Sequence, residues 1–225
     1  MEKEWLERPK FANKTILKKN SFDLFGDQPP GNSIIRPRIW QKQLINLLRR
    51  RLVSYLPTRK DLLLHAGPGA GKTLGALLGF REMQKEGLVS HLLVFCHRNI
   101  IAEQWRKSSD LVGLKLEELE SSLAIDNNNI NVDGWVITYQ GASRKSEIVL
   151  EIFKVIKNIS VLAIADEVHH LGVDPDEPEG AVWGRTFLNL TNPCRLRIGL
   201  TGTPFRADNL AFCSGKRVCL KFINA

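Results

Sequence analysis

Apolar residues in this chain gather into short continuous runs rather than alternating stripes. Five stand out: Leu62–Leu64, His91–Cys96, Gly134–Tyr139, Val161–Ala165 and Leu196–Leu200. Runs of this length, bounded by glycine-rich or polar segments, mark strands buried on both faces. A further short strand is predicted over Leu111–Leu116. Between the runs the apolar positions change to helical spacing. Leu44, Leu47 and Leu48 share one helical face, and Arg49-Arg50-Arg51 follow at the end that favours cations. Leu74, Leu77, Leu78 and Arg81 lie on one line of a second helix, with Gly87 as its stop. Ile100–Lys107, Ser146–Lys157 and Trp183–Leu190 supply three more. Strands alternating with helices predict an α/β fold, a doubly wound and mainly parallel sheet covered on both faces.

The pattern also divides the chain. Residues 1–32 carry no clear period and end near Pro29-Pro30-Gly31, so they read as an N-terminal extension. Leu17, Phe22, Leu24 and Phe25 suggest that part of it packs on the domain. Residues 33–210 hold the strands and helices. Asp126–Asn129 reads as a polar surface turn, and Asp174–Gly180 as a solvated acidic loop rather than a metal site.

Composition narrows the class. The 225 residues carry a net charge of +8, and its placement is uneven. Residues 1–60 contain 14 Lys and Arg against 5 Asp and Glu, while the remainder contains 18 against 19. A basic N-terminal region suits a nucleic acid, where neutralised phosphates release counterions; a solvated tail is the alternative. No apolar run approaches the roughly 20 residues of a membrane span, so no membrane partner is expected. The charged start, Met1-Glu2-Lys3-Glu4-Trp5, is not a secretory signal. Four cysteines without paired spacing read as reduced thiols, and a cytoplasmic location is expected.

The candidate chemistry sits after the strands, at the carboxyl ends where doubly wound sheets bind ligands. Ala66-Gly67-Pro68-Gly69-Ala70-Gly71-Lys72-Thr73 follows the first run and leads into a helix. That context suits a phosphate-binding loop, whose backbone N–H groups and helix N-terminus cradle an anion. Lys72 would reach the β- and γ-phosphates, and the Thr73 hydroxyl would hold Mg²⁺. Ala66 stands where the pattern usually begins with glycine. Asp166-Glu167-Val168-His169 ends the fourth run. A strand-terminal carboxylate there completes a Mg²⁺ site and its neighbour activates water, so Asp166 fits the metal role and Glu167 the base role. The spacing of Glu167, His169 and His170 is not the His-Glu-x-x-His of zinc hydrolases, and His170 reads as a loop or core residue. Gln41 lies ahead of the loop, either as part of a helix entered through Pro37 or as an amide that pairs with both edges of adenine.

Taken in order, these motifs resemble the superfamily 2 helicases and translocases of the Asp-Glu-x-His type. They look most like bacterial and phage proteins related to the helicase subunit of type III restriction enzymes. The resemblance covers roughly residues 33–210. It implies a RecA-like P-loop NTPase domain that uses ATP and Mg²⁺. Arg38-Ile39-Trp40-Gln41 resembles the family's adenine-reading segment, with Arg38 and Gln41 in it. Phe95-Cys96-His97-Arg98, followed by Glu103-Gln104-Trp105, stands where the family touches the nucleic-acid backbone, and Arg98 carries that role over. His97-Arg98 departs from the more usual Pro-Thr-Arg. Ile137-Thr138-Tyr139-Gln140 resembles the next such motif, with Thr138 and Gln140 as nucleic-acid contacts. Gly199 to Arg206 resembles the segment that links the state of ATP to the grip on nucleic acid, which assigns coupling roles to His169, Thr201 and Thr203.

The resemblance implies an ATP-dependent helicase or translocase acting on DNA more readily than RNA. Family members hold ATP between two RecA-like domains, and the second brings the arginine finger. Residues 211–225 read as the opening of an inter-domain connection. The expectation is therefore a chain that binds nucleotide and nucleic acid but is weak or inactive as an isolated ATPase. A second RecA-like domain would act in trans or be lost by truncation. The alternative expectation is an inert half-helicase, or the nucleic-acid-binding subunit of a split enzyme.

Overall fold

The computed structural model describes residues 35–54, 60–119, 131–155, 160–171, 179–202 and 219–222. The chain divides into Met1–Arg36 and Pro37–Ala225, and every described element lies in the second unit. In chain order these are α1 (Ile39–Val53), β1 (Asp61–Ala66), α2 (Lys72–Lys85), β2 (His91–Cys96), α3 (Asn99–Asp110), β3 (Leu116–Glu118) and β4 (Gly134–Thr138). Then follow α4 (Tyr139–Arg144), α5 (Ser146–Val155), β5 (Val161–Ala165), a 3₁₀ turn (Val168–Leu171), α6 (Glu179–Leu190), β6 (Leu196–Thr201) and β7 (Cys219–Phe222).

The strands form one sheet in the order β3-β4-β2-β5-β6-β1-β7, every neighbouring pair parallel. The doubly wound α/β reading therefore holds, and the sheet is parallel throughout. The apolar runs follow from burial on both faces. Leu63, Leu93, Phe95, Trp135, Ile137, Val161 and Ala163 pack with α4, α5 and α6, where Phe187 meets Phe95 edge-to-face at 5.0 Å. Their strand neighbours Leu62, Leu64, Leu92, Val94, Leu162 and Ile164 are equally buried and, by the alternation of a strand, face the opposite layer. The helices of that layer, α1, α2 and α3, pack on one another in turn.

Local chemistry sets the helix ends. Arg38 is extended before α1, and the Gln41 side chain accepts its N–H at 2.8 Å in a capping box. The helix α2 stops at Gly87, whose φ of 68° is left-handed, and the Leu88 N–H returns to the Met83 carbonyl at 2.9 Å. Close packing of α1 on α2 depends on Gly75: a Cβ there would fall 2.7 Å from Trp40 Cη2.

Several expectations shift. The strand predicted over Leu111–Leu116 is a turn through Gly113 (φ 71°), and the strand begins only at Leu116. Tyr139 is not the last strand residue but the first of α4, because Thr138 caps that helix by accepting the Gly141 N–H at 3.0 Å. The helix expected from Trp183 begins at Glu179. Cys219–Phe222, read from sequence within the inter-domain connection, pairs in parallel with β1. The basic extension, the Asp126–Asn129 turn and most of the acidic loop lie outside the described residues, as does Thr203. Among the described residues, no helix is long and apolar enough to cross a membrane, and no group of three His, Cys, Asp or Glu is arranged to hold a metal ion.

Candidate functional site

Strand order builds the site. Since β6 lies between β1 and β5, the loop after β1 and the carboxylates after β5 flank the end of β6. The register places His65 opposite Thr201 and Ala165 opposite Gly199, so the three strands end together.

Between Ala66 and α2 the chain turns through Gly69 (φ 71°) and Gly71 (φ 84°), conformations that favour glycine. Gly67, Pro68 and Gly69 are exposed, while Ala70 is buried. Lys72, the first residue of α2, folds back along the loop. Its ammonium donates to the Ala66 carbonyl at 3.1 Å and the Gly67 carbonyl at 3.5 Å, and lies 3.8 Å from Glu167 Oε1. Thr73 follows it, half-buried, in the first turn.

Arg38 and Gln41 join the same loop from α1. Arg38 Nη1 donates to the Ala70 carbonyl and Gln41 Nε2 to the Gly71 carbonyl, each at 3.1 Å. Gln41 is 2% exposed, so its amide forms part of the wall of the loop as well as capping α1.

The second half of the site is the end of β5. Asp166 is buried and continues the strand pattern, its N–H donating to the Phe95 carbonyl at 2.8 Å. Trp105 Nε1 donates to Asp166 Oδ2 at 2.7 Å, and the Glu167 N–H donates to Asp166 Oδ1 at 3.0 Å. The Tyr139 hydroxyl donates to the Asp166 carbonyl at 2.7 Å. Glu167 adopts φ 47°, a left-handed conformation uncommon outside glycine, which turns the chain sharply out of the strand. Its Oε2 accepts the Gly202 N–H at 3.3 Å and lies 3.3 Å from His169 Nδ1. Thr201 Oγ1 is 3.4 Å from the same nitrogen.

The two adjacent carboxylates are pushed apart in acidity. Burial raises the proton affinity of Asp166, against the Trp105 hydrogen bond, which favours the ionised form. Glu167 is held below the usual carboxylate range, first by its hydrogen bond to His169 and then, against its partial burial, by Lys72 and the Gly202 N–H. Cys96, at the end of β2, has its thiol pushed up to about 12 by burial.

The remaining candidates lie on the far side of β5, at the ends of β2 and β4. Cys96 stands opposite Thr138 in the register, so Arg98 and Thr138 leave adjacent strands at the same end of the sheet. Arg98 and Gln140 are exposed, and Thr138 is half-buried as the cap of α4. The structure thus gathers Arg38, Gln41, Gly67–Lys72, Asp166, Glu167, His169 and Thr201 around one strand end, with Arg98, Thr138 and Gln140 in a neighbouring group.

Sequence reasoning did not assign roles to Trp105 and Tyr139, which hold Asp166. It also missed a ring stack beside them: His97 on His170 at 4.0 Å and 10°, His97 against Trp183 at 5.6 Å, and Tyr139 against Trp183 at 6.2 Å. The available signal was chemical. A buried Trp or Tyr usually finds a partner for its polar atom, and a buried strand-end carboxylate needs donors.

A family model described as "Type III restriction enzyme, res subunit" matches residues 34–206. Among curated proteins, an uncharacterized Mycobacterium leprae protein is 27% identical over 186 residues, covering 80% of this chain and 30% of its own length. An uncharacterized Mycobacterium tuberculosis protein is 31% identical over 167 residues, covering 72% of this chain and 25% of its own. The chain thus spans a quarter to a third of these relatives. Among solved structures, the Sulfolobus solfataricus SWI2/SNF2 ATPase core in complex with dsDNA has a TM-score of 0.62 at 19% identity, over 83% of this chain and 37% of that one. The UvsW helicase from bacteriophage T4 has a TM-score of 0.55 at 17% identity, over 84% of this chain and 62% of that one. At these identities the likeness establishes the fold.

Proposed function

The chain belongs to the family described as type III restriction enzyme, res subunit, and from that premise we propose that it binds Mg–ATP and single-stranded nucleic acid as the ATP-binding, RecA-like domain of a superfamily 2 DNA helicase or translocase. The observation that carries the reading is the convergence of Lys72 and Glu167, 3.8 Å apart, beside Asp166 and a loop with two left-handed glycines.

The residues fit the nucleotide and its metal. A Cβ built on Gly67 or Gly69 would meet nothing within 4 Å, so the loop has open space above it. An ammonium resting on two backbone carbonyls is free to exchange them for phosphate oxygens. A carboxylate and a hydroxyl, from Asp166 and Thr73, are the hard oxygen donors Mg²⁺ prefers. When bound, Mg²⁺ neutralises charge developing on the phosphates.

The chain's own residues would supply the rest. Lys72 and the loop N–H groups hold the phosphates. Arg38 and Gln41 brace the loop, and Gln41 is the candidate adenine reader. Glu167, kept ionised by His169 and the Gly202 N–H, accepts a proton from the attacking water. Glu167 Oε2 and Thr201 Oγ1 each lie within reach of His169 Nδ1, which supports the coupling role given to His169 and Thr201. Nucleic acid would cross the strand ends at Arg98, Thr138 and Gln140, and Thr203 would take part in coupling. Strand movement is expected to need a second RecA-like domain.

ATP hydrolysis, measured with and without single-stranded DNA, tests the proposal. Wild-type protein is compared with Lys72→Ala and Glu167→Gln. A slow wild-type rate that both substitutions abolish is expected. A wild-type rate equal to that of both variants would overturn it.

A further inference from the structure

The Asp166 peptide is held from both layers of the sandwich. Its carboxylate accepts Trp105 Nε1 of α3, and its carbonyl accepts the Tyr139 hydroxyl of α4, each at 2.7 Å. Both aromatic side chains are fully buried, at 0% and 1% exposure, so water offers no substitute partner. A buried hydrogen bond to a charged group is shorter, stronger and more costly to lose than one in water. The two helices also begin at the other candidate group: Arg98 is the residue before α3, and Thr138 is the cap of α4.

We propose that Trp105 and Tyr139 are positioning residues that fix the Asp166 carboxylate for a divalent cation. Through them, α3 and α4 carry the state of the Arg98 and Thr138 ends to the metal site. This rests on the reading of Asp166 as the Mg²⁺ ligand. Trp105 takes one lone pair of Oδ2 and the Glu167 N–H takes one of Oδ1. An ionised carboxylate has about four such sites, so a cation or its water shell finds both oxygens already oriented. Tyr139 fixes the carbonyl of the same residue, which limits rotation of the strand end. Such outer partners of a metal ligand typically contribute about 10–100-fold in affinity.

The molecule carries its own control. Trp135 is another fully buried tryptophan, and among the described residues its Nε1 has no hydrogen-bond partner. Trp105→Phe and Trp135→Phe both keep a buried aromatic ring, yet only the first removes a donor from Asp166.

The test is binding of a fluorescent ADP analogue to the whole chain, titrated with Mn²⁺ or Mg²⁺ and also measured in EDTA. Trp105→Phe and Tyr139→Phe are expected to need about 10-fold more metal for half-maximal binding, with affinity in EDTA unchanged. Trp135→Phe should match wild type in both. A purely structural role for Trp105 would lower stability without separating metal-dependent from metal-independent binding, and that result overturns the proposal. So does an unchanged metal requirement in Trp105→Phe. Asp166→Asn separates the two readings. If it raises the metal requirement and Trp105→Phe does not, only the positioning role fails. If Asp166→Asn also leaves the requirement unchanged, the metal role of Asp166 fails with it. Should Trp105→Phe not fold, the indole ¹⁵N–¹H signals of wild-type protein give the answer. The Trp105 signal should move on adding Mg²⁺ with ADP while that of Trp135 stays; a static Trp105 signal overturns the proposal. Adding single-stranded DNA before the metal should shift the same signal if α3 carries the coupling, and no shift overturns that part.

Discussion

Lys72 and Glu167 meet across β6, with Lys72 Nζ 3.8 Å from Glu167 Oε1 while the same ammonium rests on the Ala66 carbonyl at 3.1 Å. The pair ties the loop after β1 to the turn after β5. Its geometry separates what Lys72 contributes to the fold from what it contributes to a ligand. The Glu167 side chain is 38% exposed, and solvent-screened pairs of this kind contribute about 0–1 kcal/mol.

Lys72→Met, which keeps the aliphatic stem, is therefore expected to change unfolding stability by no more than about 1 kcal/mol. Nucleotide affinity should fall roughly 10- to 100-fold, since a hydrogen bond to a charged group contributes about 1.5–3 kcal/mol. Chemical denaturation and a nucleotide titration on the same preparations measure both. A large stability loss with intact binding would make the lysine structural.

The loop's own rigidity depends on a residue outside it. A Cβ on Gly75 would lie 2.7 Å from Trp40 Cη2 and 3.2 Å from Gln41 Cγ, and Gln41 holds the Gly71 carbonyl. Gly75→Ala should displace α1 from α2 at a cost of about 1–3 kcal/mol and loosen the loop, so stability and nucleotide affinity fall together. Gly67→Ala, where a Cβ has open space, should leave stability within about 0.5 kcal/mol. Thermal unfolding of the two variants distinguishes them, and equal losses would contradict the packing argument.

Much of the fold was legible because a strand buried on both faces takes mostly apolar residues, a polar one being costly unless it is paired. Leu62–Leu64, His91–Cys96 and Val161–Ala165 therefore show as apolar runs, and the motif after each marks its carboxyl end. The edge strand Leu116–Glu118 is only Leu-Glu-Glu, with one buried residue of three, so periodicity pointed to its apolar neighbours instead. Cys219–Phe222 was missed for a related reason: four residues do not establish a period. In the site, Lys72, Asp166 and Glu167 were legible from local motifs. The links Trp105–Asp166, Tyr139–Asp166 and His97–His170 were not, because each arises where separate elements approach in space, and no spacing along the chain encodes that approach.

At the opposite end of the sheet, Arg197 is 5% exposed and forms a two-pronged pair with Asp61, at 2.5 and 2.8 Å. The pair joins the beginnings of β1 and β6, and the Arg197 N–H donates to the Lys60 carbonyl at 2.7 Å. Asp61→Asn strands a buried guanidinium charge and should cost about 3–5 kcal/mol. Replacing both residues with Leu and Met should recover most of that loss, because an apolar pair carries no desolvation penalty. Urea denaturation of the single and double variants checks the sign of the coupling, and an additive double variant would show that the charges do not interact.

Acid titration probes the two carboxylates of the site, which act in opposite directions. Glu167 is held below its ordinary 4.5, so the folded protein binds its proton less readily than the unfolded chain. Its contribution to stability is present above about 4.5 and is lost as pH falls through the depressed folded value. Asp166 is raised above its ordinary 3.8 by burial, so its contribution is fully present below that value and is lost as pH rises through the folded one. Wild-type protein carries both slopes at once. Glu167→Gln removes the first while keeping an oxygen for the Gly202 N–H. The stability gap between wild type and Glu167→Gln should therefore be widest near neutral pH and should close on acidification below about pH 4. Denaturation curves at a series of pH values measure the gap. A gap that is constant or widens as pH falls would mean that His169 and Lys72 do not stabilise the ionised form of Glu167 in the folded chain. The carboxylate would then enter the reaction without the bias toward its basic form that the geometry provides.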